Sequence, residues 1–591
     1  MERWLTRPAA RWTVPLIGVA LCSPAIGRYL ALDDFVLFLI ARGEPRIEGL
    51  SQGSFDLFTF TTGRPADNKA LIEHGLMLPW FTDPELRVAF FRPLSSLTHR
   101  VDLLLWPATP PLMYLHSLLW FGAALAAAGW LYRRLETGAA VAGWAALLYA
   151  FDHVHGPAVA WLSNRNALLA TCFGVLALVA HDAGRRGNRA ASVLGPVCLG
   201  AGVLSGEFAI GAAAYLFAYA LVLDRRGWRS GLVSLWPYLL VIALWQVGYK
   251  LRDFGVHGSG TYVDPLRDPG RFLGSLPGRI SVLLSAEVGL LPSDTLTMGP
   301  PPLFPLLLAL AVLTLAVAAF VLLPLVRSER VARFWALGMV TAAVPVAASF
   351  PSDRVLFFVG LGGMALLARV VRAALDVSSP LASRPLRALA FGFALLHLVL
   401  SPALLPGRAL QMQLFGAVLT PATEILDRVP ALEQKTVVIV SAPLEIFATY
   451  VQAERAFERR PRPPHLYPLS SAATELKLTR SGPNELTLEP GQGFLYTPLE
   501  QHYRSRVGSL PAGTVIELSE LRAEVLATTA DGRPARVRFS FKAPLESPAL
   551  VLLTWRNDRY ERFAPPAPGS TVTLPAADIG RILSRPVLES R

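Results

Sequence analysis

Asp33 and Asp34 stand side by side where the first apolar segment of the chain ends. Residues 13–31 are apolar enough to enter a bilayer, and Arg3, Arg7 and Arg11 precede them. Basic residues before a first span stay cytoplasmic, which delivers the two acids to the outer membrane–water boundary. Neighbouring carboxylates at that depth repel each other and are partly desolvated, an arrangement that makes one member of a pair a better base near neutral pH. The alternative is a solvated pair that only caps a helix end.

Four further groups of polar residues fall on the same side. Phe91-Arg92-Pro93-Leu94 closes the first loop, with His99, Arg100 and Asp102 behind it. Asp152-His153-Val154-His155-Gly156-Pro157 leads into Trp161-Leu162-Ser163-Asn164-Arg165-Asn166. Ser205-Gly206-Glu207 breaks a long apolar run, and a lone carboxylate there is costly unless it has a partner or a task. Pro351-Ser352-Asp353-Arg354 fills a minimal loop between two spans. Each has a plainer reading. His153 and His155 lack the third clustered ligand a metal site wants. Asp353 and Arg354 could form a local salt bridge, and Arg92 could snorkel to lipid headgroups. Their joint occurrence, at the outer ends of spans otherwise stripped of charge, points to a site.

The elements that must position these residues follow from composition. With 53% hydrophobic residues in 591, the chain is too apolar for an ordinary soluble protein and reads as an α-helical polytopic membrane protein with a soluble appendage. The net charge of +12 is not a nucleic-acid signature, because the arginines sit in short clusters between apolar segments. Cys22, Cys172 and Cys198 all lie within apolar runs and supply neither a disulfide framework nor metal spacing.

Apolar stretches at 13–31, 111–132, 138–151, 165–181, 190–204, 207–223, 231–249, 303–325, 334–350, 355–371 and 388–405 predict about eleven spans. Arg133/Arg134, Arg185/Arg186/Arg189, Arg225/Arg226/Arg229, Arg327/Arg330/Arg333 and Arg369/Arg372/Arg384/Arg387 fall in every second gap, as a cytoplasmic N-terminus requires. An odd count places everything after residue 405 outside the membrane. The first outer loop, 33–110, carries Phe35, Phe38 and Leu39, then Leu94, Leu97, Val101, Leu104 and Leu105, at the spacing of two amphipathic helices on the membrane surface. A second, 250–302, carries Gly258-Ser259-Gly260-Thr261-Tyr262-Val263-Asp264-Pro265, in which Tyr262 and Asp264 are candidate substrate contacts. Residues 1–405 thus form a membrane domain and 406–430 a linker. Residues 431–591 form an extracytoplasmic α+β or mostly β domain of alternating runs and turn residues, without a nucleophile–base arrangement.

The order of these features resembles the membrane glycosyltransferases that use lipid-phosphate sugars, the GT-C fold, and among them the protein O-mannosyltransferases and their relatives with tetratricopeptide repeats. In that family an acidic pair follows the first span, as Asp33-Asp34 does. An Arg-Pro-Leu is matched by Arg92-Pro93-Leu94, and a histidine loop before Val-x-Trp and Arg by His155, Val159, Trp161 and Arg165. Ser-Lys-Glu is similar to Ser205-Gly206-Glu207, and Glu-Arg-Tyr-Leu-Tyr to Asp353-Arg354-Val355-Leu356-Phe357. The likeness covers residues 1–405. The family's His-Pro becomes Asp152-His153, its loop glutamate falls on Pro157, its Lys is Gly206, and its repeats are absent.

The resemblance implies an inverting glycosyltransferase of the bacterial inner membrane. Its donor is a polyprenyl-phosphate sugar, its acceptor a protein, lipid or polysaccharide, and its surroundings membrane lipids. Asp34, or else Asp33, removes the acceptor proton, while Arg354, Arg165 and Arg92 hold the donor phosphate. His155, Glu207, Tyr262, Asp264 and Asp353 complete the substrate-binding set. The phosphate leaves already charged, so the reaction calls for no metal or cofactor. The rivals are a lipid flippase or transporter, and an inactive membrane scaffold.

Overall fold

Uncharged runs of Leu, Ala and Val can satisfy their backbone in lipid only by coiling on themselves. In the computed structural model, which describes residues 2–44, 53, 55–295, 299, 301–375, 383–505 and 510–584, the apolar runs are helices. Six are long and apolar enough to cross a membrane: Pro110–Leu135, Leu162–Arg185, Trp228–Leu251, Pro301–Ser328, Phe357–Ala374 and Arg384–Arg428. Ala10–Leu21, Ala139–Phe151, Arg189–Ser205 and Glu207–Leu223 are apolar but shorter. Stretch 334–350 falls on the 17-residue helix Arg330–Val346. Each expected stretch thus falls on helix, but among the described residues six rather than eleven reach spanning length. The first stops at Leu21 instead of residue 31, because Pro24 cannot continue the ladder and the chain tightens into a 3₁₀ turn over Ser23–Ala25.

The chain divides into two compact units. The first comprises Met1–Arg28, Phe90–Phe254 and Asp264–Gln413. At its centre is the helix Phe357–Leu375, and three tyrosines from other helices donate to its carbonyls. Tyr149 Oη reaches Phe357 O at 3.0 Å, Tyr215 Oη reaches Phe358 O at 2.6 Å, and Tyr132 Oη reaches Leu361 O at 2.7 Å. Small residues make the approach possible: a Cβ on Gly362 would lie 2.6 Å from both Trp335 O and Tyr215 Oη.

This helical unit has two polar ends. At one, Arg369 is buried between Glu136 and Glu329, while Arg134 and Arg186 share Asp182, and Arg185 holds Asp224 at 2.6 Å. At the other, Arg354 Nη1 donates to Asn164 Oδ1 at 3.2 Å, Arg92 meets Glu207, and Asp353 meets Arg408. The alternation of polar ends along the sequence is therefore the alternation of helix direction.

The second unit comprises Tyr29–Ala89, Gly255–Val263 and Leu414–Arg591. A six-stranded antiparallel sheet runs in the order Thr571–Leu574, Leu476–Gly482, Glu485–Pro490, Pro534–Phe541, Leu521–Thr528, Val515–Glu517. A four-stranded sheet runs Arg559–Arg562, Leu550–Arg556, Thr436–Ser441, His465–Pro468, its last three strands parallel. The alternating run Leu521–Val525 shows one face to the core, whereas Val437–Ser441 is buried throughout, as a parallel central strand should be. The parallel pair Thr436–Ser441 and His465–Pro468 needs a crossover, supplied by the short helices Ile446–Thr449 and Val451–Phe457.

Residues of the first long loop build the core of this unit. Trp80 is buried, donates Nε1–H to Leu469 O at 2.9 Å, and meets the rings of Phe81, Phe494 and Phe539 edge-on. Arg504 donates to the carbonyls of Phe81 and Thr82. Strands Thr59–Thr62, Arg87–Ala89 and Gly255–His257 make a small third sheet. The helix Asp33–Arg42, expected on a membrane surface, instead buries Phe35 to Ile40 within the unit, with Phe35 and Phe38 against Phe457. Of the expected excursion at 43–68, residues 45–52 and 54 lie outside the described residues.

Candidate functional site

A cation near a membrane is normally paired, whereas Arg354 in the helical unit has aromatic neighbours instead. It sits in a 3₁₀ turn, Asp353–Val355, between two helices, and is half-buried. Its guanidinium lies over the rings of Trp161 at 5.2 Å and Phe350 at 5.1 Å, and Asn164 Oδ1 holds one edge. Among the described residues no carboxylate lies within ion-pair distance of it. Stacking and one neutral hydrogen bond fix the plane of the cation without cancelling its charge. Such a group is prepared for an anion with several oxygens.

Its neighbour in sequence does something else. Asp353 is buried, accepts the N–H and Oγ–H of Ser293 at 2.7 Å each, and pairs with Arg408 Nη2 at 2.6 Å. Ser352 Oγ and Arg408 both reach Asp294. The Asp353 carboxylate is therefore a brace that sets the turn, and the local Asp353–Arg354 salt bridge open from sequence is not formed.

A chain of contacts leads from Arg354 to Arg92. Asn164 ends the turn Leu162–Asn164, which runs directly into the helix Arg165–Arg185 and its Asn166. A Cβ on Gly206 would stand 3.3 Å from Asn166 O, so this junction lies against Ser205-Gly206-Glu207. Arg92 Nε then donates to Glu207 Oε2 at 2.8 Å, and Ser95 Oγ donates to Ser205 O at 2.7 Å. The Arg92 guanidinium covers the ring of Phe90 at 4.3 Å and approaches Phe208 at 5.7 Å. Glu207, costly on its own in an apolar run, has found a cation. Arg92 is thus already paired, which sets it apart from Arg354.

Three other candidates are spent inside the helical unit. Arg165 is fully buried, pairs with Asp102 at 2.6 Å, and donates to Ser117 Oγ and Met113 O. His116 completes that cluster at 2.6 Å from Asp102. His155 is also fully buried, stacked on Phe357 at 4.4 Å with Tyr149 and Phe121 beside it. Asp264 pairs with Lys250 at 2.9 Å and accepts the Leu266 N–H, closing its own loop.

The acidic pair and Tyr262 belong to the second unit. Leu32 has φ 51° and ψ −120°, a backbone region a branched L-residue rarely adopts, and it turns the chain sharply into the helix Asp33–Arg42. Asp34 is fully buried and its Oδ2 accepts the Ala31 N–H at 3.2 Å, while its own N–H returns to Ala31 O. Asp33 is half-exposed, and Tyr450 Oη donates to its Oδ1 at 2.5 Å. The two acids are thus distinct in environment. Tyr262 rests beside the His502 imidazole at 5.5 Å, and Thr261 Oγ1 contacts His502 Nδ1 at 3.0 Å. Among the described residues no group of three or more His, Cys, Asp or Glu side chains could hold a metal ion.

Sequence reasoning missed Phe350, Arg408, Asp294 and Tyr450. A lone arginine inside the apolar helix Ser401–Ala422 is a costly placement, and that signal could have found Arg408.

No family model matches the sequence, and no characterised protein matches it by sequence. Solved structures do match at low identity. One is an oligosaccharyltransferase from Archaeoglobus fulgidus tethered to an acceptor peptide containing the NVT sequon. It shares 14% identity over 79% of this chain and 64% of that one, with a TM-score of 0.41. Another is the archaeal oligosaccharyltransferase AglB from Archaeoglobus fulgidus with an inhibitory peptide and a dolichol-phosphate, at 14% identity, 77% and 64% coverage, and a TM-score of 0.40. ArnT from Cupriavidus metallidurans bound to undecaprenyl phosphate matches at 13% identity, 76% and 84% coverage, and a TM-score of 0.36. The chain spans 64% of the length of the archaeal enzyme it matches.

Proposed function

We propose that this chain is an inverting membrane glycosyltransferase that moves a sugar from a polyprenyl-phosphate carrier to an acceptor at the outer face of the cytoplasmic membrane. The observation that carries the reading is Arg354, a half-buried guanidinium over the rings of Trp161 and Phe350 with no carboxylate among the described residues to neutralise it. A lipid phosphate is the anion that a cation at the end of membrane helices would meet.

In the reaction the acceptor oxygen attacks the sugar C1 as the bond from C1 to the phosphate oxygen breaks. The acceptor proton goes to a carboxylate, and the phosphate leaves with the bond's electron pair. Arg354 stabilises the charge that grows on the phosphate. Asp33 is the better general base of the acidic pair, because it is the half-exposed one, whereas Asp34 is buried against Ala31. Arg92, with Glu207 beside it, is the proposed second phosphate contact. Arg165, His155, Asp264 and Asp353 support the loops rather than touching substrate.

The test of the phosphate site uses undecaprenyl phosphate, the lipid held in the ArnT structure, added to the purified protein in nanodiscs with tryptophan fluorescence as readout. Arg354→Ala should weaken binding about 10- to 100-fold, the worth of charge-assisted hydrogen bonds. Arg354→Lys should fall between, since an ammonium keeps the charge but not the stacked plane. Equal affinity in the wild type and Arg354→Ala would remove Arg354 from the site.

A further inference from the structure

The C-terminal segment, expected to hold no part of the chemistry, places Tyr450 on the carboxylate of Asp33. We infer that Tyr450 is a positioning residue for the general base, fixing the orientation of the Asp33 carboxylate by donating its phenol hydrogen to Oδ1. The inference rests on the proposed glycosyltransferase reading and on Asp33 as its base.

The contact joins residues 417 positions apart, and packing dictates it. Tyr450 lies between the helices Ile446–Thr449 and Val451–Phe457, on the crossover between two parallel strands. Val451–Phe457 runs alongside Asp33–Arg42 and is pinned at its far end. Phe457 meets Phe35 at 5.7 Å and Phe38 at 6.0 Å, Arg42 Nη1 donates to Phe457 O at 3.1 Å, and the Arg42 guanidinium lies over the Phe457 ring at 4.4 Å. The residue before Tyr450 is held as well, with Thr449 O accepting the Met77 N–H at 2.8 Å. With both ends of the helix pair fixed, the phenol is brought to the start of Asp33–Arg42.

The chemistry runs in one direction. Burial, and then the Asp33 charge, raise the Tyr450 phenol well above its ordinary value, so it stays protonated and donates. A donor on one oxygen favours the ionised carboxylate and restricts its rotation, and a base must be ionised and aimed before the acceptor binds. The strained Leu32 backbone and the Asp34–Ala31 bonds fix the main chain beneath the same carboxylate.

The test measures release of undecaprenyl phosphate from undecaprenyl-phosphate-linked [14C]mannose, glucose and galactose, with a delipidated envelope extract as acceptor, across pH. Tyr450→Phe should lower kcat about 10- to 100-fold and leave the donor KM unchanged. It should also move the acidic limb of the profile to higher pH, because a carboxylate that loses a donor protonates more readily. Replacing Tyr450 with 3-fluorotyrosine, a stronger donor of nearly the same shape, should move that limb to lower pH. The fluorine resonance of the substituted protein should titrate with Asp33 and stop titrating in Asp33→Asn. If Tyr450→Phe does not fold, the fluorinated protein decides alone. Wild-type kcat and pH profile in Tyr450→Phe, with Asp33→Asn inactive, would overturn the positioning role and leave the transferase reading standing. Full activity in Asp33→Asn would overturn Asp33 as the base and this inference with it, and no release by the wild type would overturn the transferase reading as well.

Discussion

Asp102 Oδ2 lies 2.6 Å from Arg165 Nη2, with both side chains sealed from solvent. A motif arginine beside a tryptophan and two asparagines reads as a ligand contact, yet this one points inward. It ties the helix Pro93–Leu105, which carries Asp102, to the start of Arg165–Arg185 and, through Met113 O and Ser117 Oγ, to Pro110–Leu135.

Removing one partner of a buried ion pair strands the other, at a cost of about 3–5 kcal/mol. Asp102→Asn and Arg165→Ala should therefore lower the thermal unfolding temperature of the detergent-solubilised protein sharply. Arg354→Ala, whose side chain braces nothing charged, should leave it within a degree or two. Unchanged unfolding in Arg165→Ala would return that residue to the phosphate site.

The acidic pair separates by environment. Asp33→Asn should cost on the order of 10²–10⁴ in transfer rate, the usual loss when a general base is removed. Asp34→Asn should keep most activity, because the amide oxygen can still accept the Ala31 N–H. The comparison is a rate measurement on both variants with donor binding checked separately. An inactive Asp34→Asn beside an active Asp33→Asn would exchange the two roles.

Gly362 is where the central helix meets its neighbours. A Cβ there would press to 2.6 Å on Trp335 O, which is backbone and cannot move aside cheaply. Gly362→Ala should destabilise the helical unit by about 1–3 kcal/mol, measured as unfolding temperature. Gly248→Ala, with open space around it, is the control and should change little.

In the second unit Glu445 is buried, and burial followed by the neighbouring Glu500 pushes its carboxyl up from the ordinary 4.5 to about 8. The folded protein then keeps a proton that the unfolded chain has released. Its contribution is complete below about pH 4.5 and is lost as pH rises towards 8. Unfolding temperature should fall from pH 5 to pH 8 in the wild type and fall less in Glu445→Gln. Parallel curves would show that Glu445 is ionised throughout.

The helices of the first unit were legible because exclusion of charge over many residues is a local signal, and the arginine clusters marked their direction. The end of the first helix was not, since Pro24 lies inside a mostly apolar run that continues past it. Adjacency misled at Asp353 and Arg354: a 3₁₀ turn sends one inward to Arg408 and the other between two rings. The second unit shows the limit most clearly. Its strands alternate and can be read. That Trp80 and the helix Asp33–Arg42 belong to its core depends on contacts hundreds of residues apart, which periodicity does not encode.

The central claim is sugar transfer from a lipid phosphate, and one measurement addresses it directly. The purified wild-type protein and Arg354→Ala are reconstituted in proteoliposomes with [14C]-sugar-loaded undecaprenyl phosphate and an envelope extract, and label is followed in the lipid and non-lipid fractions. Label should leave the lipid and appear on an acceptor with the wild type, and Arg354→Ala should slow this about 10- to 100-fold. Label that stays on the lipid while crossing from one leaflet to the other would contradict the claim and make the protein a transporter.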